Sequence, residues 1–147
     1  MSGGLILLFD VDDTLLDFAK SERRSIIFTL RRFGLPETEE IVAAYSEINL
    51  ACWKLLEDNK ITRKQLDRLR FDILFERFGI TGADSVAAGA CYRKELSSSA
   101  YVIRGCRAML ARLAATDRLF IVTNGAEATQ LKRLKKAGLD GFFEKIF

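Results

Sequence analysis

The chain has 147 residues, 49% of them hydrophobic with eleven Phe among them, enough to pack one ordinary domain or a small domain carrying an insertion. Its 23 basic and 20 acidic side chains leave a formal net charge of +3, too balanced to point to a nucleic-acid partner. Histidine is absent, which excludes His-based triads, His–metal sites and imidazole general bases and leaves acid–base work to carboxylates, Lys, Tyr or Cys.

Leu5 to Phe9 is an unbroken apolar run bounded by glycines and acids, the pattern of a strand buried in a parallel sheet. Asp10, Asp12 and Asp13 follow where that strand would end. Like charges set together are costly unless a cation or a proton offsets the repulsion, and the carboxyl end of a sheet strand is where α/β proteins place their chemistry. The plain alternative is an acidic turn, with Thr14 or Asp17 starting a helix. A long helical block comes next. Ile26, Ile27, Leu30 and Phe33 line one face of a first helix, which Gly34-Leu35-Pro36 ends. Ile41, Ala44, Tyr45, Ile48, Cys52, Leu55 and Leu56 carry the helical period through a second. Thr62-Arg63-Lys64-Gln65 has the form of a capping box opening a third, with Leu66, Leu69, Ile73 and Leu74 on its apolar side. A fourth, weaker helix runs from about Ala83 to Leu96, with Val86, Ala87, Ala90 and Cys91 as its apolar positions. Four such stripes can bury one another as a bundle.

Ser97-Ser98-Ser99 reads as a linker, after which the pattern returns to α/β. Gly105 to Ala115 is helical, Leu119–Val122 is a second strand, Ala126 to Ala137 is a helix stopped by Gly138, and Lys145 connects to a third strand starting at Ile146-Phe147. The basic cluster Lys132-Arg133-Lys135-Lys136 falls on the last helix and reads as its solvated face. The order is that of an α/β protein: a parallel-sheet core from residues 1–16 and 100–147, with a helical segment, 17–99, inserted after the first strand.

Two segments carry a family resemblance. Phe9-Asp10-Val11-Asp12-Asp13-Thr14-Leu15 resembles the first motif of the haloacid dehalogenase (HAD) superfamily, Asp-x-Asp-x-Thr after an apolar strand. Leu119-Phe120-Ile121-Val122-Thr123-Asn124-Gly125 resembles its second, in the Thr-Asn-Gly form. The resemblance implies a Rossmann-like core with an all-α cap of the type inserted directly after the first motif. Superfamily members carry a Lys further on and then a pair of acids after another strand; on that pattern the chain stops at Phe147 ahead of both, and Lys145 lies too close to the second motif to be that Lys. The strand bearing those acids would pair with Leu5–Phe9 on the side away from the second strand. The core is then incomplete here and leaves Leu5–Phe9 with one unpaired edge and one uncovered flank, an exposed edge through which the chain could form homo-oligomers.

The resemblance also assigns roles. Asp10 is the nucleophile that forms an aspartyl-phosphate, and Asp12, on the same side of an extended chain, is the general acid/base. Asp10 facing a phosphate dianion asks for a hard divalent cation, Mg²⁺, which the resemblance places on the Asp10 carboxylate, the backbone carbonyl of Asp12 and an acid of the last motif, this third ligand not being among the 147 residues. Thr123, Asn124 and Gly125 hold the phosphoryl oxygens, with Asn124-Gly125 opening a helix whose N–H groups face the anion; an N-capping Thr123 is the plain alternative. Asp13 stands where many relatives have Gly and receives no catalytic role. An acid at Asp12 marks a phosphatase rather than a dehalogenase, because halide leaving groups need no proton. Trp53 with Asn59-Lys60-Ile61-Thr62, Gln65-Leu66 and Arg70-Phe71 is similar to the cap of house-cleaning pyrimidine 5′-nucleotidases. Trp53 would stack a base and Phe18 would stand where cap and core meet; the plain reading of Trp53 is a buried bundle residue.

The function so implied is Mg²⁺-dependent hydrolysis of a small phosphorylated metabolite, with nucleoside 5′-monophosphates as the first substrate class. An N-acetylneuraminate 9-phosphatase-like activity on sugar phosphates and a non-catalytic binding or scaffold fragment are the alternatives. A receiver domain also clusters acids at strand ends, but it has no helical insertion after the first strand. Cys52, Cys91 and Cys106 are too few and too widely spaced for a disulfide framework or a zinc pattern, and Cys52 and Cys91 read as small core residues. No long apolar run suggests a membrane span, and Met1-Ser2-Gly3-Gly4 lacks the basic region of a signal peptide; the expected location is the cytoplasm.

Overall fold

A computed structural model describes residues 4–147; the reading of Met1-Ser2-Gly3 as no signal peptide lies outside them. The elements run β1 (Ile6–Phe9), α1 (Phe18–Arg32), α2 (Glu39–Glu57), α3 (Arg63–Arg77), α4 (Ser85–Ser97), α5 (Cys106–Leu113), β2 (Arg118–Ile121), α6 (Glu127–Ala137), a 3₁₀ turn at Asp140–Phe142 and β3 (Lys145–Ile146). They form two compact units. One holds the residues up to Ser21 together with Leu96–Phe147, and the other holds Glu22–Glu95. The unit boundaries thus fall a few residues from the 16/17 and 99/100 positions expected from sequence.

The first unit is built on a parallel sheet of order β1-β2-β3, with Ile6 opposite Arg118, Phe9 opposite Ile121 and Ile121 opposite Ile146. One face is covered. Leu119 and Ile121 are buried there with Val11, Leu15, Leu16, Leu110, Leu134 and Leu139, and Leu7 and Phe9 pack against that cluster. The full burial read from the apolar run alone is corrected: Leu5, Ile6 and Leu8 are 64, 62 and 63% exposed, in line with the open edge and uncovered flank that the family resemblance led us to expect. β1 lies at the sheet's edge, and its alternate residues turn to a face that nothing among the described residues covers. Helix α6 ends as its sequence dictates, on Gly138 in the left-handed region (φ 67°), and Arg107 donates to the carbonyls of Ala137 and Gly138 at that terminus.

The helical unit shows how far periodicity reads. Thr38 caps α2, and Thr62 and Gln65 form the reciprocal capping box of α3, with Thr62 N–H donating to Gln65 Oε1 at 2.8 Å. Tyr45, Phe71 and Tyr92 meet in an aromatic cluster with centroids 5.0–6.1 Å apart. Arg70, 3% exposed, lies 4.7 Å from the Tyr92 ring centre and donates to Asn49 Oδ1 (2.9 Å) and Asp67 Oδ1 (2.7 Å). Helix α4 is turned differently from the expectation: Ala88, Gly89 and Tyr92 are its buried residues, Val86 is 58% exposed and Cys91 is half-buried. Packing against α3 decides this, since a Cβ on Gly89 would stand 2.3 Å from the Asp67 carbonyl oxygen. The Ser97–Ser99 segment is not a loose linker either. Ser97 closes α4, and Ser99 is buried, with its hydroxyl 3.2 Å from that of Ser21. No described helix is long and apolar enough to cross a membrane.

Candidate active site

β1 delivers its acids through a turn wrapped on Val11. That residue is fully buried, and its carbonyl accepts the N–H of Leu15 (2.9 Å) and of Leu16 (3.0 Å). Asp10 and Asp12 flank it, and alternation along the chain sends both carboxylates away from the core. Asp10 is exposed. Its Oδ1 accepts the Val11 N–H at 2.8 Å, and Oδ2 accepts from no described group. Asp13 adopts φ 58°, a region open to Gly and tolerated by Asp, and its Oδ1 accepts the Phe18 N–H at 3.1 Å. That backbone conformation gives a physical reason for a position that also suits Gly. The residue that starts α1 is Asp17, one of the two expected from sequence: it stands directly before Phe18, and its Oδ1 accepts the Lys20 N–H at 3.0 Å.

The second strand brings its motif to the same edge. Val122 N–H donates to the Phe9 carbonyl at 2.8 Å, so Thr123 emerges beside the Asp10 turn. Thr123 Oγ1 accepts two hydrogen bonds, from the Gly125 N–H (3.1 Å) and from Gln130 Nε2 (3.0 Å). Both lone pairs are then used, and the hydroxyl hydrogen remains to be donated. Thr123 is not a helix cap: α6 starts at Glu127 behind Ala126, with no side-chain cap. Nor do Asn124 and Gly125 open that helix. The Gly125 amide is turned back on Thr123 rather than left for an anion.

The larger difference from the sequence reading is Arg133. It is not part of a solvated basic face; its side chain is 1% exposed, and Nη1 donates to Asp12 Oδ1 at 2.6 Å. Gln130, 2% exposed, donates to Asp12 Oδ2 at 2.9 Å with the same Nε2 that reaches Thr123. Arg133 Nη1 also donates to Gln130 Oε1 (2.9 Å) and Nε to the Ser99 carbonyl (3.2 Å), while Nη2 is buried without a hydrogen-bond partner. A signal for this existed in the chain. Gln130, Arg133, Leu134 and Ala137 recur at the spacing of one helix face, and they are the buried residues of α6. A charge on an apolar stripe is a charge with a partner.

Asp10, Asp12, Thr123, Asn124 and Gly125 are therefore gathered within one unit. Phe18, the first residue of α1, belongs to the same unit, and its ring lies 6.0 Å from the Arg133 guanidinium carbon. Trp53 belongs to the helical unit, where it is half-buried and faces Arg63 at 5.8 Å. No group of three or more acidic or Cys side chains that could hold a metal occurs among the described residues. The donors that are present fit a hard cation beside a nucleophile: Asp10 Oδ1 accepts one hydrogen bond and keeps a second lone pair, and the Asp12 backbone carbonyl accepts none among the described residues. Mg²⁺ is commonly bound by one or two protein oxygens with waters completing its shell.

Comparison with known proteins places the fold in a family. The chain is 37% identical over 141 residues to YfnB of Bacillus subtilis (strain 168), and 34% identical over 142 residues to the pyrimidine 5′-nucleotidase PynA of Streptococcus pneumoniae. It matches 96% of itself and 60% of each relative, so it spans about three-fifths of the length of those curated proteins. The crystal structure of YfnB bound to magnesium superposes with a TM-score of 0.92 at 36% identity, over 98% of this chain and 64% of that one. The model of the haloacid dehalogenase-like hydrolases matches residues 6–147, and the chain belongs to that family.

Proposed function

We propose that the protein is a phosphate monoester hydrolase that works through an aspartyl-phosphate on Asp10. The observation that carries this reading is the division of labour at the edge of β1 and β2. Asp10 keeps a carboxylate oxygen free for attack, Thr123 keeps a hydroxyl hydrogen free for a phosphoryl oxygen, and Asp12 is held by two donors next to both. Asp10 Oδ2 attacks phosphorus as the bond to the ester oxygen breaks, and protonated Asp12 gives its proton to that leaving oxygen. Water then attacks the acyl phosphate, ionised Asp12 takes its proton, and Asp10 is regenerated with release of phosphate. Mg²⁺, held by Asp10 and the Asp12 carbonyl, would neutralise charge on the phosphoryl group.

For the substrate we propose nucleoside 5′-monophosphates. The support is the similarity to the pyrimidine 5′-nucleotidase PynA. Free Cys52, Cys91 and Cys106 suit a reducing compartment, and we place the protein in the cytoplasm.

The test is phosphate release by the full-length gene product with Mg²⁺, from pyrimidine nucleoside 5′-monophosphates beside sugar phosphates. Turnover of the nucleotides, its loss in Asp10→Asn, and a phosphoryl adduct on Asp10 in quenched wild-type protein are the expected results. Preference for sugar phosphates would replace the substrate class. No Mg²⁺-dependent release from any ester would refute the enzyme reading and leave a binding fragment.

A further inference from the structure

We propose that Gln130 and Arg133 are positioning residues that set the Asp12 carboxylate for proton transfer and lock it to the phosphate-binding hydroxyl of Thr123. This rests on the reading of Asp12 as the acid that protonates the leaving oxygen.

The geometry is a closed network on one face of α6. Arg133 Nη1 takes Asp12 Oδ1 and Gln130 Nε2 takes Asp12 Oδ2, so one donor on each oxygen fixes the plane of the carboxylate. Each oxygen keeps a second lone pair for the proton it must carry and release. Gln130 cannot turn over without breaking the set, because its Oε1 accepts from Arg133 while its Nε2 serves both Asp12 and Thr123. The guanidinium is anchored in turn by Nε on the Ser99 carbonyl. Thus the residue that donates the proton and the hydroxyl that faces the phosphoryl group share one amide nitrogen.

Two further observations favour function over packing as the reason for this network. Arg133 is buried with Nη2 lacking any hydrogen-bond partner, an arrangement that a thioether or aliphatic chain of similar length would avoid. Gly125 is also explained. A Cβ there would stand 2.6 Å from Gln130 Nε2, so the glycine of the Thr-Asn-Gly motif gives the amide its approach.

A positioning role predicts a dependence on the leaving group. A p-nitrophenolate departs with little need of a proton, whereas an alkoxide needs one, and kcat/KM covers the steps up to that departure. The experiment compares kcat/KM for p-nitrophenyl phosphate and uridine 5′-monophosphate, with Mg²⁺, in full-length wild type, Arg133→Met, Arg133→Lys, Gln130→Leu and Asp12→Asn. Arg133→Met and Gln130→Leu should lose about 100-fold on the nucleotide and less than about 10-fold on the aryl ester, with Arg133→Lys between wild type and Arg133→Met. Adding Arg133→Met to Asp12→Asn should cost less than about threefold more, since the group it positions is already gone. Should Arg133→Met fail to fold, Arg133→Lys and Gln130→Leu carry the same comparison. Equal losses on the two esters, or fully additive losses with Asp12→Asn, would overturn the positioning role and leave the phosphatase reading standing. A wild type that cleaves neither ester would remove that reading itself and the inference with it.

Discussion

Asp10 and Asp12 are the same residue type two positions apart, and their surroundings separate them. Asp10 is exposed with one oxygen free, while Asp12 is held on both oxygens by Arg133 and Gln130. An amide at position 12 can still accept from Arg133 but cannot carry a proton to a leaving oxygen. Asp12→Asn is therefore expected to lower kcat by about 10²- to 10⁴-fold while leaving the affinity for beryllofluoride within a few-fold of wild type. Equal losses in both, read by turnover and by fluoride NMR titration, would make Asp12 a binding or structural residue instead. The two carboxylates and Thr123 were legible in the sequence because spacing and strand ends place them. Their partners on α6 were harder to see. A run of basic residues is mostly surface, and only the helical period, applied residue by residue, separates buried Arg133 from exposed Lys132, Lys135 and Lys136.

At the scale of elements, what could be read locally and what could not divides along one line. The capping box of α3 and the Gly138 stop of α6 are contained within a few residues, and both stand where the sequence puts them. The orientation of α4 is not a local property. Its apolar residues lie on more than one side, and the face that is buried is the one whose small residues let α3 come close. Gly89→Ala tests this directly. In an isolated helix the change would stabilise by about 1 kcal/mol. Here the new Cβ would meet the Asp67 carbonyl oxygen at 2.3 Å and its carbon at 2.9 Å, both backbone atoms that cannot swing aside. A net loss of about 1–3 kcal/mol is expected, seen as a lower urea midpoint with an unchanged slope. Gly141→Ala, with nothing within 4 Å of its added Cβ, should leave the midpoint almost unmoved. A midpoint raised by Gly89→Ala would mean that the two helices do not meet at Gly89.

For the chain as a whole, the order of elements followed from the alternation of apolar runs with helical periods, while the place of β1 beside β2 and the open edge and flank of β1 followed from the family resemblance and not from the run itself. An apolar run says that a strand should be buried without saying by what. The register puts Leu7, Phe9, Leu119 and Ile121 on the covered side, and turns Ile6, Leu8 and Phe120 to the other. There Ile6 and Leu8 are more than 60% exposed, and Val122, just past β2, is 45% exposed. Parallel strands are ordinarily covered on both faces, and an uncharged edge with unpaired N–H and C=O groups is a template for another strand. The 147-residue chain is therefore expected to self-associate through β1, its sedimentation coefficient rising with concentration. Replacing Ile6 and Leu8 together by Lys puts two charges on the open face without touching Leu7 or Phe9, and should return the chain to a monomer with an unchanged circular dichroism spectrum. A wild-type chain that stays monomeric at every concentration would show that this face does not attract a second copy. Association that persists in the double Lys variant would move the contact elsewhere on the molecule.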